Sequence, residues 1–302
     1  MEYFLDNLQN YEGKVGGYHS SESPTEDGNH TVALHIFDSI SIEHDYVLDI
    51  GAFSTRSSNV VPIMAKYGLH GLLLDGKNSY NDPRITKVWL EKDTICNILR
   101  DNKCPKKLDY ISLDVDNMDY WFLEAILNEG YESNLLIIEF NPIWSADEAF
   151  VKKYYRDAYK SDELTGASSN YGASLRAFMM LLSQFDYRLI HVIQKCLEPA
   201  QLTSNNAFFI KSKFDYLDKF KDQEEVIKKC LPVPFVEGTK MKKNINLFNS
   251  SCIEEIKVIL KNKFFVEIEG HLSFNMPYPK EKRKEANCDK IIADIMSEYD
   301  DE

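Results

Sequence analysis

The sequence predicts an α/β protein built on a doubly wound, mostly parallel sheet, and three observations predict it. Short apolar runs at 46–50, 71–74, 110–113 and 135–138 alternate with stretches of helical periodicity, the pattern of buried parallel strands joined by crossover helices. The first run enters a glycine turn at Asp49-Ile50-Gly51, and a helix-like segment at 60–67 follows, as in the opening half of a nucleotide-binding unit. The later runs end in acids: Asp75 after 71–74, then Asp114, Asp116 and Asp119 after 110–113, then Glu139 with Asn141 after 135–138. Ligands of open α/β sheets bind outside the carboxyl ends of the strands, so these groups would ring one crevice with oxygen.

A chain of 302 residues suits one large α/β domain with an extension, or two domains. Apolar content of 44% and charge of 27% are ordinary for a globular protein. The net charge of −13 argues against nucleic acid, whose phosphates demand a basic face. The cysteines Cys96, Cys104, Cys196, Cys230, Cys252 and Cys288 are scattered, without a C-x-x-C or a Cys/His cluster. They read as reduced thiols of a cytoplasmic protein, and zinc is not expected. No apolar stretch approaches membrane-spanning length, and the first six residues do not read as a signal peptide. The expected partner is a small molecule or glycan rather than a membrane; homo-oligomerisation is left open.

Taken in order, residues 1–30 are polar, with Gly16-Gly17 and a Ser/Pro-rich stretch at 20–24, and read as a flexible arm or a lid. The apolar spacing at 31–40 predicts a short helix, with Asp27 near its start. After the strand at 46–50, no glycine follows Gly51 until Gly68, so the turn lacks the G-x-G-x-x-G of a dinucleotide pyrophosphate site. Asp75 lies 24 residues beyond Gly51, at the tip of the second strand, a position suited to accepting ribose hydroxyls or to capping a helix. A third strand is expected at 85–90, and Asp93-Thr94 resembles a cap for a helix through 99. Helices are expected at 121–127 and 175–185, and a closing strand pair at 187–193 and 207–210. The aromatic-rich 146–159 reads as a packed surface helix or a cleft-lining loop, and 161–172 as a loop. Beyond 211 lysine and glutamate become frequent. A helix at 253–260 and a charged tail from 280 complete the reading. The expected division is an arm at 1–30, a catalytic domain at 31–212 and an extension at 213–302.

The ordered motifs Glu26-Asp27-Gly28, Asp49-Ile50-Gly51-Ala52, Ser58-Asn59, Leu113-Asp114-Val115-Asp116 with Asp119-Tyr120, Ile138-Glu139-Phe140-Asn141-Pro142, Gly172-Ala173-Ser174 and Asn206-Ala207-Phe208-Phe209 resemble those of the FkbM-like class I methyltransferases. The resemblance covers roughly 26–211. It implies a Rossmann-like seven-stranded sheet with an antiparallel final hairpin, binding of S-adenosylmethionine (SAM), and O-methyl transfer onto a sugar or other small hydroxylated metabolite. On that resemblance Asp49 and Gly51 would sit at the methionine end of the cofactor, Asp75 would hold the ribose hydroxyls, Asp114 would lie just beyond the reacting sulfonium, and Ala52 and Asn59 would also bind the cofactor. Two positions depart from it: Asp116-Asn117 stands where related sequences tend to read Asp-Gly, and Phe53-Ser54-Thr55 where they carry a more acidic or glycine-rich turn.

Two chemistries fit these residues. Asp114, Glu139 and Asn141 offer oxygen ligands to Mg²⁺ or Mn²⁺, which would lower the pKa of an acceptor hydroxyl. Alternatively Asp114 or Asp116 takes that proton directly as general base. The structural readings beside these are that Asp116 and Asp119 favour a helix N-terminus and that Glu139 and Asn141 anchor a loop. His35 and His191 lie in apolar runs and read as core residues. The strand–glycine–helix unit with its distal acid also suits an NAD-dependent oxidoreductase or epimerase, and the fold also suits a non-catalytic SAM-binding module.

Overall fold

A computed structural model describes residues 29–55, 58–78, 81–115, 117–141, 143–145, 147–156, 172–193, 205–214, 258, 261–262 and 265–268. Residues 1–28 of the predicted arm, Asp116, the loop predicted at 161–172 apart from Gly172, most of the helix predicted at 253–260 and the charged tail lie outside the described residues. Asn29 and His30, placed in the arm by the sequence, are the buried start of the first described helix. In chain order the elements are α1 (Asn29–Phe37), β1 (Tyr46–Ile50), α2 (Val61–Tyr67), β2 (His70–Asp75), β3 (Ile85–Lys87), α3 (Ile95–Asp101), β4 (Lys107–Leu113), α4 (Asp119–Asn128), β5 (Glu132–Phe140), β6 (Phe150–Lys152), α5 (Leu175–Ser183), β7 (Tyr187–Ile193), β8 (Asn205–Lys211) and β9 (Phe265–Glu267).

Seven strands form one sheet in the order β3-β2-β1-β4-β5-β8-β7. All its pairings are parallel up to β5, while β8 runs antiparallel to both β5 and β7. The expected doubly wound, mostly parallel, Rossmann-like sheet is therefore observed, including its antiparallel closing hairpin. The chain moves outward from β1 through β2 to β3, then returns to lay β4 on the other side of β1. Right-handed crossovers put the connections of the two halves on opposite faces and open a crevice where the direction reverses, between β1 and β4. Burial follows from this layering: β4 is buried along every residue but its first, which is why its sequence is mostly apolar without an alternation, broken only by the buried Asp109 and Ser112.

The amino end of the sheet is tied by a buried carboxylate. Asp109, with no exposed surface, accepts the N–H groups of Glu43 (2.8 Å), His44 (2.9 Å) and Asp45 (2.7 Å) and the side-chain amide of Asn134 (2.9 Å). It thereby fastens the segment leading into β1 onto β4 and β5.

Three expectations need correction. The third strand spans 85–87 rather than 85–90, because Trp89 turns back to pack against Gly76. The fifth begins at Glu132 rather than 135, since its polar start is satisfied by neighbours: Ser133 N–H donates to the Tyr187 hydroxyl at 2.7 Å. The segment read as a helix or loop at 146–159 contains the strand β6, which pairs with β9 from the C-terminal extension in a separate two-stranded sheet. Among its described aromatic residues, Phe150 stacks on Trp144 and Tyr154 donates its hydroxyl to Glu91 at 2.9 Å.

Candidate active site

One register row crosses the carboxyl edge of the sheet. Ile50 is aligned with Leu74 on β2 and with Leu113 on β4, Leu113 with Ile138 on β5, and Glu139 with Asn206 on β8. One residue further along each parallel strand, Asp75, Gly51, Asp114, Glu139 and Asn206 therefore fall side by side. Four of the predicted site residues thus share a single row, at the point where the winding reverses. Asn206 joins them from the antiparallel strand.

Gly51 is the closest approach in this row. Its φ is +91°, and a Cβ built there would lie 1.7 Å from the carbonyl oxygen of Asp114. Only glycine permits both that conformation and that contact. The ladder continues through the turn: Gly51 and Ala52 N–H groups donate to Leu74 O at 2.9 and 3.0 Å, and Asp114 N–H to Ile50 O at 2.9 Å. Phe53 follows in a left-handed conformation (φ +45°), uncommon for an aromatic residue, and its N–H donates to Asp75 Oδ2 at 3.2 Å. Asp75 Oδ1 also accepts the Asn78 N–H. A carboxylate has about four acceptor sites, so these two bonds orient Asp75 and leave capacity for a ligand.

Beneath the row lies a polar plug. Asp49, aligned with Ser112, is buried and accepts the Ser58 hydroxyl at 2.5 Å, while Asn59 Nδ2 donates to Ser112 Oγ at 3.1 Å. Burial pushes the Asp49 carboxyl up to about 6, restrained by its bonds to Ser58 and Ser112 and raised further by the charge of Asp75. Asp49 and Asn59 thus support the floor of the crevice.

The same plug closes the start of α2. Val60 and Val61 N–H groups both point to Ser58 Oγ at 3.3 Å, and Pro62 has no N–H to give. Helix N-termini bind pyrophosphates through free N–H groups. Here two of those donors are occupied and one is missing, a physical reason to disfavour a dinucleotide beyond the absent second glycine.

On the other side of Asp114 the turn is held by Asp119, whose Oδ1 accepts Val115 N–H at 2.8 Å. Asp119 is the first residue of α4, an acid in its first turn, but the N-cap position is Met118 and no side chain caps the helix, so Asp119 ties the preceding turn rather than capping α4. Asn117 is buried and accepts the ammonium of Lys152, itself buried. Lys152 was not legible as a site residue, because nothing in its local sequence distinguishes it from the solvated lysine beside it. Glu139 is buried within β5, and Asn206 beside it has a buried side-chain nitrogen with no hydrogen-bond partner among the described residues. Asn141 Oδ1 accepts Ile143 N–H at 3.0 Å, so it anchors the following loop and commits one lone pair there. Among the described residues no group of three or more His, Cys, Asp or Glu side chains is arranged to hold a metal ion. His191 is a core residue, buried against Phe208 and lowered to about 4 by that burial.

No family model matches the chain, and no curated protein matches it. Among solved structures it is similar to M. jannaschii TYW2 in complex with AdoMet, at 10% identity and a TM-score of 0.26, over 61% of this chain and 76% of that one. A likeness of that size decides nothing about the site, and the fold rests on the strand order and register themselves. No helix among the described residues is long and apolar enough to cross a membrane.

Proposed function

We propose that the protein is a SAM-dependent methyltransferase that methylates a hydroxyl of a carbohydrate or another small hydroxylated metabolite. The observation that carries the reading is the register row at the reversal point: a ribose-type acid, a glycine pressed against the next strand, and two further acids, beside a helix start whose leading N–H groups are engaged by Ser58 or replaced by Pro62. Of the motifs that resemble the FkbM-like family, those containing Gly51, Asp114, Glu139 and Asn206 reach this row, and those containing Asp49, Ser58 and Asn59 form the plug below it. SAM would supply a methyl group already activated on a sulfonium, so the protein's task is mainly positioning and exclusion of water. Asp75 would accept the ribose hydroxyls. Trp89, partly exposed and packed against Gly76, would offer an aromatic face for a flat heterocycle. The Gly51–Asp114 contact would set the depth of the crevice.

At the acceptor end Asp114 would take the hydroxyl proton as general base. Glu139 and Asn206, aligned across β5 and β8, offer an acceptor and a donor side by side. That pairing favours a hydroxylated acceptor over an amine or a carbon nucleophile. A metal-assisted route would rest on Asp114 and Glu139, with Asn141 contributing only its remaining lone pair. Asp116 lies outside the described residues, and its proposed share in the base role stands on the sequence motif.

Calorimetric titration tests the cofactor. SAM should bind, NAD should not, and Asp75→Ala should weaken SAM binding at least about 100-fold, the loss expected when a bidentate charged acceptor is removed. Binding of NAD without SAM would favour the oxidoreductase reading. SAM binding without methyl transfer to any hydroxylated acceptor would favour a binding module. Turnover undiminished in excess chelator would remove the metal route and leave Asp114 as the base.

A further inference from the structure

Strand β6 stands outside the seven-stranded sheet and touches three parts of the molecule at once. Along one edge it meets the segment before α5: Lys152 N–H reaches Gly172 O at 3.3 Å, and Phe150 O accepts Ser174 N–H at 2.8 Å. Along the other it pairs with β9 through Phe150↔Glu267, Val151↔Val266 and Lys152↔Phe265, and Ile268 N–H donates to Ala149 O at 2.8 Å. Toward α4, the Lys152 carbonyl accepts Trp121 Nε1–H at 2.7 Å, and the Lys152 ammonium donates to Asn117 Oδ1.

The burial of this lysine calls for an explanation. Its residue is 3% exposed, and withdrawing an ammonium from water costs several kcal/mol unless partners replace the water. The bond falls on Asn117, the residue that stands where related sequences tend to have glycine. Asn117 is not among the residues with positive φ, so the turn does not call on glycine's backbone freedom. Here the position is used through its side chain, as the seat for Lys152. The turn is also tied by Asp119 to Val115 N–H, by Asn117 N–H to Val115 O at 2.9 Å and, on the sheet side, by Asp114 N–H to Ile50 O at 2.9 Å. Lys152 ties it to β6, outside the seven-stranded sheet.

We infer that Lys152 is a positioning residue that locks the turn bearing Asp114, Asn117 and Asp119, and that the C-terminal strand β9 is part of the site because it fixes the register of β6. The inference deepens the methyltransferase reading by giving residues 265–268 a role in the catalytic centre, although its geometry is independent of the cofactor. A lysine on a three-residue strand can hold its place only if the strand is held, and β9 supplies one of the two edges that hold it.

Amide hydrogen exchange on the full chain, without ligand, tests this. Lys152→Met removes the donor and the charge while keeping an apolar stem. Val266→Pro acts from the far side: Phe150 and Lys152 direct their backbone groups to 172–174, so Val151 faces β9, and proline opposite it removes a ladder donor. Each variant should speed exchange in peptides spanning 113–122 by about tenfold or more, with 46–50 and 70–75 unchanged. Lys152→Arg, which keeps donor and charge, should stay close to wild type. Unchanged exchange at 113–122 in Lys152→Met would overturn the inference, as would loosening by Val266→Pro confined to 261–268. Equal loosening by arginine and methionine would reduce Lys152 to a packing residue and overturn its positioning role. Should Lys152→Met fail to fold, Val266→Pro still decides, because it leaves the seven-stranded sheet untouched. SAM titration of the wild type is a separate arm: failure to bind would remove the functional reading and leave the exchange result standing.

Discussion

Two buried aspartates, one at each end of the sheet, are satisfied in opposite ways. Asp109 at the amino end collects three backbone N–H groups and an asparagine amide, all fixed donors with no alternative use. Asp49 near the carboxyl end relies on hydroxyls from Ser58 and Ser112, and burial still pushes its carboxyl up to about 6. Hydroxyls can rotate and can accept as well as donate, so the second arrangement tolerates a change of proton or partner. The amino end is built as a joint, and the carboxyl end as an adjustable floor under a ligand. Substitutions at the two ends should therefore separate stability from binding.

The largest effect is expected at the joint. Asp109→Ala would leave the N–H groups of Glu43, His44 and Asp45 and the Asn134 amide without their common acceptor, at a cost of about 4 kcal/mol, in the range seen when one partner of a buried charged network is removed. Urea denaturation should show the midpoint falling, while SAM affinity of the remaining folded protein stays near wild type. A loss of affinity without a loss of stability would contradict the division. Gly51→Ala comes next and acts the other way round. Its methyl would meet the Asp114 carbonyl and its φ would be strained, so stability should fall by about 2–3 kcal/mol as the tips of β1 and β4 part. Because those tips form the crevice, SAM binding should be lost in the fraction that still folds, which calorimetry would detect.

The sequence disclosed the carboxyl row because parallel strands buried on both faces announce themselves as apolar runs, and acids end those runs abruptly. Asp75, Gly51, Asp114 and Glu139 were all found this way. Asp109 was not, since an acid inside a buried strand looks like an interruption until its four donors are seen converging from 43–45 and 134. Strand β6 was misread for a related reason. Three residues are too few to show alternation, and the partners that make them a strand come from 172–174 and 265–268. Lys152 inherits that invisibility. Asn141 shows how one residue can carry both readings: its place after a strand, beside Glu139, suggested a metal ligand, and its oxygen also accepts the N–H of its own loop, the structural reading offered beside it. Local pattern located the strands and their tips; contacts made at long sequence separation decided what the remaining polar residues do.

The smallest of these effects sharpens the contrast most, because it depends on pH. The Asp49 carboxyl is raised from 3.8 to about 6 in the folded chain. Between those values the folded state binds the proton more tightly than the unfolded one, so stability from this group is greatest below pH 3.8. It is lost as pH rises through about 6, and the loss is complete above that. The difference corresponds to roughly 3 kcal/mol at neutral pH, at about 1.4 kcal/mol per pKa unit. Asp49→Asn never ionises, and its amide oxygen can still accept from Ser58. Relative to wild type, the variant should show little difference at pH 4 and gain about 2 kcal/mol by pH 7.5, measured as paired denaturation midpoints. A constant offset across that range would mean that Asp49 is as well satisfied as Asp109 and that the floor is a second joint. If the gain appears, SAM affinity in the same variant should fall, since the resemblance places Asp49 at the methionine end of the cofactor and the variant no longer has a carboxylate to present there.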